Sequence, residues 1–92
     1  MDNKTKDMLI GAMEESSEVI QACSKAIRFG LDNHHPNRTE THRNEIVTEY
    51  YHLQAIIEKL QKDGMLPTYS EDHIKYIKKG KLKRMRNTKK GY

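Results

Sequence analysis

Four side chains in this sequence have the type and spacing to do chemistry together: Glu15 with Glu18, and Glu49 with His52. Each pair is separated by three positions, so on a helix both members reach one point. Glu49 projects inside an apolar arc, between Ile56 on one side and Leu53 and Ile46 on the other. His52 faces the flank of that arc, and Glu15 projects between Ala22 and Ala26 on the flank of another. A carboxylate drawn toward a core is costly unless a cation or several donors compensate it. Two helices that each offer such a pair along a shared seam can build a divalent-metal site. The residue types leave two other readings open: a structural ion pair, for example Glu49 with Lys25 or Arg28, and plain exposure. Glu14, Glu40, Glu45 and Glu58 are read by default as acids that keep a helix soluble.

These residues need helices to position them, and the periodicity supplies three. The first runs from about Asp7 to Phe29, with Leu9, Ala12, Met13, Val19, Ile20, Cys23, Ala26 and Ile27 on one arc. Gly30 is its expected stop. Residues 31–42 are polar and contain Pro36, which predicts a loop, with Thr41 or Thr39 as the next cap. The adjacent His34 and His35 are read as solvated loop residues, since neighbouring histidines seldom converge on one ion. A second helix follows from about Arg43 to Lys62, ended by Asp63 and Gly64. A shorter third, from about Glu71 to Lys79, starts behind a Ser70 cap and is broken or bent at Gly80. The expected architecture is all-α: two long antiparallel helices plus a shorter third, assembling as an oligomeric helical bundle. Residues 1–80 form the domain and residues 81–92 a basic tail that frays unless a partner orders it.

Composition excludes much else. Ninety-two residues, 35% hydrophobic and 33% charged, hold one small domain and no Rossmann-type fold. There is no apolar run of the roughly 18 residues a membrane span needs. The N-terminus leads into no apolar signal segment, and the lone Cys23 forms no internal disulfide, so a reducing cytoplasm is expected. No Gly-rich phosphate loop is present, and Ser16, Ser17 and Cys23 lack a nucleophile's partners. The charge is segregated. Residues 75–92 carry nine Lys/Arg and no acid, while residues 1–74 carry eight Lys/Arg and all 13 acids, a net of −5.

The run Glu14-Glu15-Ser16-Ser17-Glu18-Val19-Ile20-Gln21-Ala22-Cys23-Ser24-Lys25-Ala26-Ile27-Arg28-Phe29-Gly30 resembles the first motif helix of the MazG-like, all-α nucleoside triphosphate pyrophosphohydrolases. The closest likeness is to small single-domain forms from bacteriophages. That family's signature is EExxE, a spacer, then ExxD, and the stretch Asn44–Leu60 is similar to the second half. The resemblance covers about residues 5–66. Where the family has the final Asp of ExxD, this chain has His52, and Tyr51 precedes it where a small residue is usual.

The resemblance implies a metal-dependent enzyme that cleaves NTP or dNTP to NMP and pyrophosphate. It implies Glu15, Glu18 and Glu49 as metal ligands for Mg²⁺, with Mn²⁺ possible and His52 beside them, and Glu14 as a supporting acid that orients water. Lys25 and Arg28 become candidates for the substrate's phosphates, and solvated residues of the outer stripe otherwise. The implied functional unit is a homo-oligomer, dimer or tetramer. Because His suits Mg²⁺ poorly, an alternative is a protein of the same fold that binds a nucleotide, a signalling nucleotide included, without hydrolysing it. A second alternative is nucleic-acid binding through the basic tail, though pairing of that tail with a neighbouring subunit's acidic body or with a bound triphosphate is preferred on the charge segregation. His52 as a general base is open too.

Overall fold

In the computed structural model of the chain, residues 1–87 are described and form three helices: α1 (Asn3–Phe29), α2 (His42–Lys62) and α3 (Glu71–Asn87). The architecture is all-α, with no strand among the described residues. No helix among them is long and apolar enough to cross a membrane. α1 starts one turn before the apolar pattern does, because Asp2 caps it and accepts from the Thr5 N–H at 2.6 Å. It stops at Gly30, whose φ of 94° suits glycine, and the Asn33 amide closes the end by donating to the Phe29 carbonyl.

The loop that follows is folded back on α2. The His42 and Arg43 N–H groups, otherwise free at a helix start, donate to the Asn33 and Leu31 carbonyls, both at 2.8 Å. Thr41 caps α2 by accepting from the Asn44 N–H at 3.3 Å. Arg43 also pairs with Asp32 at 2.9 Å. The loop therefore fixes the angle at which α2 returns along α1.

The two long helices run antiparallel, since the pairs that meet climb α1 as they descend α2. Gly11 faces Ile56, Glu15 faces His52, Lys25 faces Glu45 and Phe29 faces His42. The seam is made of small residues. Ala22 and Ala26, one turn apart, are buried, and Leu60 is the only other apolar side chain as deeply covered among the described residues. Of the bulky residues expected in the core, Leu9 and Val19 are half-buried, whereas Met13 is 71% exposed, Ile20 68% and Ile27 85%. Alanines let the two backbones approach closely at one end of the seam, and Met13 and Ile20 stand at its open edge beside Leu53 and Ile57 of α2.

α3 differs from expectation in two ways. It continues through Gly80 to Asn87 rather than ending near Lys79. One glycine costs a helix only about 1 kcal/mol relative to alanine, and Arg84 and Arg86 in the last turn complement the helix dipole. Residues 88–92 of the expected tail lie outside the described residues. Second, α3 packs against neither α1 nor α2. The radius of gyration is accordingly 16.1 Å, where a compact chain of this length has about 12 Å.

Candidate metal centre

Glu15, Glu49 and His52 come together across the seam between α1 and α2. Each offers one ligand atom, and the three atoms lie within 4.8 Å of one another. His52 Nδ1 is 3.2 Å from Glu49 Oε2, within hydrogen-bond reach, and 3.7 Å from Glu15 Oε2. The side chain of Glu49 is 16% exposed, that of Glu15 29% and that of His52 55%. The group is thus a half-sheltered cluster of two carboxylates and one imidazole, open to solvent on the His52 side.

Local sequence explains the geometry. Glu15 sits a little under two turns before Ala22, on the alanine side of α1, so the helix presents it to α2. Glu49 and His52 are one turn apart on α2, and both look back across the seam. Two oxygens and an imidazole nitrogen make a donor set for a divalent ion. The imidazole suits Mn²⁺ or another transition metal better than Mg²⁺, which takes oxygen in near-ideal octahedral geometry.

The other expected site residues lie apart from this group. Glu14 and Glu18 are exposed, and neither has an ion-pair partner among the described residues. Glu18 is one turn beyond Glu15, but its carboxylate is outside the cluster. Lys25 and Arg28 lie still further along α1. Lys25 is ten residues after Glu15, a rise of about 15 Å. Both line a cavity of about 620 Å³ with Phe29, Asn33, His34, His35, Pro36 and His42. The Arg28 guanidinium stands over the Phe29 ring, 5.1 Å from its centroid. Nitrogens of His34 and His35 are engaged within the loop, His34 Nδ1 at 2.8 Å from the His35 carbonyl and His35 Nδ1 accepting from the Asn37 N–H at 3.1 Å.

The default reading of Glu45 as a solubilising acid is overturned. It is 6% exposed, and Lys25 Nζ donates to its Oε1 at 2.9 Å. Arg38 stands 3.9 Å away, and buried His42 places Nδ1 3.5 Å from Oε2 without a well-formed hydrogen bond. The Lys25 hydrogen bond, foremost, holds the Glu45 carboxyl below its ordinary value against the opposing effect of burial. Lys25, with its side chain 28% exposed, is thus engaged by Glu45 rather than standing alone on the outer stripe. It ties α1 to α2.

No family model, curated protein or solved structure matches the chain.

Proposed function

We propose that this protein is a metal-dependent nucleoside triphosphate pyrophosphohydrolase, releasing a nucleoside monophosphate and pyrophosphate. The observation that carries the reading is the convergence of Glu15 from one helix with Glu49 and His52 from the other, within 4.8 Å. Support comes also from the resemblance of Glu14–Gly30 and Asn44–Leu60 to the two motif helices of the MazG-like enzymes. Glu15 and Glu49 would hold a divalent ion there, with His52 completing the donor set and favouring Mn²⁺ over Mg²⁺. When bound, such an ion would supply charge neutralisation at the phosphoanhydride.

The remaining roles fall to residues at the solvent edge. Exposed Glu18 and Glu14 are the carboxylates left to orient and deprotonate the attacking water. Water attacks one phosphorus of the α–β anhydride, the bridging bond breaks, and the proton passes to a carboxylate or to bulk. Arg28 has no ion-pair partner among the described residues, but it lies 13 residues beyond Glu15, a rise of about 20 Å along α1. That is too far to reach a triphosphate held at Glu15 and Glu49 of the same chain, and Lys25 is committed to Glu45. Self-association, as a dimer or a dimer of dimers, belongs to the same reading.

One observation favours a second reading, nucleotide binding without turnover. With Glu18 outside the cluster, two carboxylates rather than three face the ion. The two readings separate in a hydrolysis panel of common NTPs and dNTPs with Mg²⁺ or Mn²⁺, products resolved by anion exchange. Monophosphate plus pyrophosphate supports the enzyme. Calorimetric binding with no turnover supports the second reading.

A further inference from the structure

Lys25, Arg28, His34, His35 and His42 line the cavity where α1 ends, the loop turns and α2 begins, and none of its lining residues is acidic. Glu45, the carboxylate that meets Lys25 and His42, is answered by two full cations, Lys25 Nζ at 2.9 Å and Arg38 at 3.9 Å. The charge of Arg28 is therefore left over, and it has no ion-pair partner among the described residues. A concave surface with surplus positive charge concentrates anions.

We infer that this cavity is a binding site for a small phosphate ester, separate from the metal cluster. It stands apart from the proposed hydrolysis by distance. Arg28 is 13 residues beyond Glu15, a rise of about 20 Å along α1, and His42 is ten residues before His52, about 15 Å along α2.

The walls are fixed before any ligand arrives. Gly30 ends α1 with a φ of 94°, the His42 and Arg43 N–H groups donate to the Asn33 and Leu31 carbonyls, and Arg43 pairs with Asp32. A pre-formed cavity spares a ligand part of the ordering cost. The same bonds, with the Thr41 cap, use up the first N–H groups of α2. The ligand must then be held by side chains and not by the helix terminus.

The hydrogen-bonding roles of those side chains are set by their neighbours. The Asn37 N–H donates to His35 Nδ1 at 3.1 Å, so the neutral His35 ring carries its proton on Nε2 and is a donor there. His34 Nδ1 lies 2.8 Å from the His35 carbonyl and must donate to it, which leaves the neutral His34 Nε2 as an acceptor. The Arg28 guanidinium is steadied over the Phe29 ring at 5.1 Å, and its fork suits two phosphate oxygens. A cation, a neutral donor and an acceptor match a phosphate group with a hydroxyl beside it. A chloride ion has no use for the acceptor.

His42 points to a ligand independently. It is 3% exposed, it lines the cavity, and its buried Nδ1 stands 3.5 Å from Glu45 Oε2 without a hydrogen bond. A buried imidazole left unbonded is costly. A ligand hydroxyl donating to Nε2 fixes the proton on Nδ1, toward Glu45, and so satisfies both ring nitrogens. Three histidines at one cavity also raise the question of a metal. Among the described residues, however, the group of three potential ligands that converges is Glu15, Glu49 and His52, and not these. The volume of about 620 Å³ admits a sugar phosphate or a nucleoside monophosphate.

The test uses the full chain in metal-free buffer, titrated separately with inorganic phosphate, ribose 5-phosphate and AMP. Long-range ¹H–¹⁵N spectra read each imidazole. Saturable shifts at His34, His35 and His42, with exposed His52 and His73 unmoved, are expected from at least one phosphate ester. Arg28→Gln is expected to weaken this binding by about tenfold or more, Arg28→Lys by less, and the remote Lys62→Gln to leave it unchanged. Circular dichroism checks that each variant keeps its helices. Tighter binding of AMP than of ribose 5-phosphate assigns the site to nucleotides, and equal binding assigns it to sugar phosphates; either supports the site. No saturable shift up to about 10 mM, shifts of equal size at His52 and His73, or binding that survives Arg28→Gln unchanged overturns it.

Discussion

Lys25 Nζ donates to Glu45 Oε1 at 2.9 Å, and this charged contact fastens α1 to α2 at the end of the seam where the loop enters. The two partners are unequally placed, with the Lys25 side chain 28% exposed and that of Glu45 7%. Removing either one therefore has a different cost. Lys25→Met leaves a buried carboxylate with only distant Arg38 and poorly aligned His42, and is expected to destabilise by about 2–4 kcal/mol. Glu45→Gln leaves a lysine that can turn into water, and about 1–2 kcal/mol is expected. Urea unfolding of both variants checks the order, and a larger loss for Glu45→Gln contradicts it.

The same pair sets an acid limit on stability. Glu45 is held below its ordinary carboxyl value of 4.5 in the folded chain. A depressed folded pKa contributes stability that is fully present above the unfolded value and is lost as pH falls through the folded one. The urea midpoint should therefore be flat above about pH 5.5 and fall as the solution is acidified below 4.5. Glu45→Gln should flatten the acid limb, and an unchanged limb in that variant removes Glu45 from the explanation.

Gly11 offers a stabilising substitution. A Cβ there would meet Ile56 Cδ1 at 3.4 Å, an ordinary contact with the end of a flexible side chain. Gly11→Ala should gain about 0.5–1 kcal/mol from helix propensity. Thermal unfolding reads this directly, and a lower midpoint shows that α1 and α2 cannot give at that level.

In the proposed metal site, His52 is the donor that would set the choice of ion. Restoring an oxygen donor with His52→Asp should move the preference from Mn²⁺ toward Mg²⁺ by about tenfold or more. Titration calorimetry with each ion, without nucleotide, measures it independently of turnover. Identical preferences in the two proteins place His52 outside the donor set.

Much of the fold was legible because its signals are local. Gly30, Thr41, Gly64 and Ser70 mark helix ends by side-chain chemistry that acts within a few residues, and each does so in the structure. Glu49 stood out because its own helix places it inside an apolar arc. Glu45 did not: an acid in the first turn of α2 has a sufficient explanation in the helix dipole. Its real partner, Lys25, is 20 residues away in sequence, where periodicity carries no information. The seam was misjudged for a related reason. Hydrophobicity pointed to Ala26 but equally to Met13, Ile20 and Ile27, which are exposed, and it passed over Ala22; only the pairing of two helices reveals which part of the arc is used. The extent of α3 was underestimated because Gly80 was weighed as a break and the residues after it as too poor in apolar groups to fold, and one glycine is not costly enough to end a helix.

The central claim is that Glu15 and Glu49 jointly hold a metal that hydrolyses a nucleoside triphosphate. Its most direct test is turnover of an NTP and dNTP panel with Mn²⁺ or Mg²⁺ by wild type, Glu15→Gln and Glu49→Gln, with anion-exchange separation of products. Monophosphate and pyrophosphate from the wild type, greater with Mn²⁺ and lost in both variants, is the predicted result. No turnover with either ion, or turnover that survives both substitutions, contradicts it.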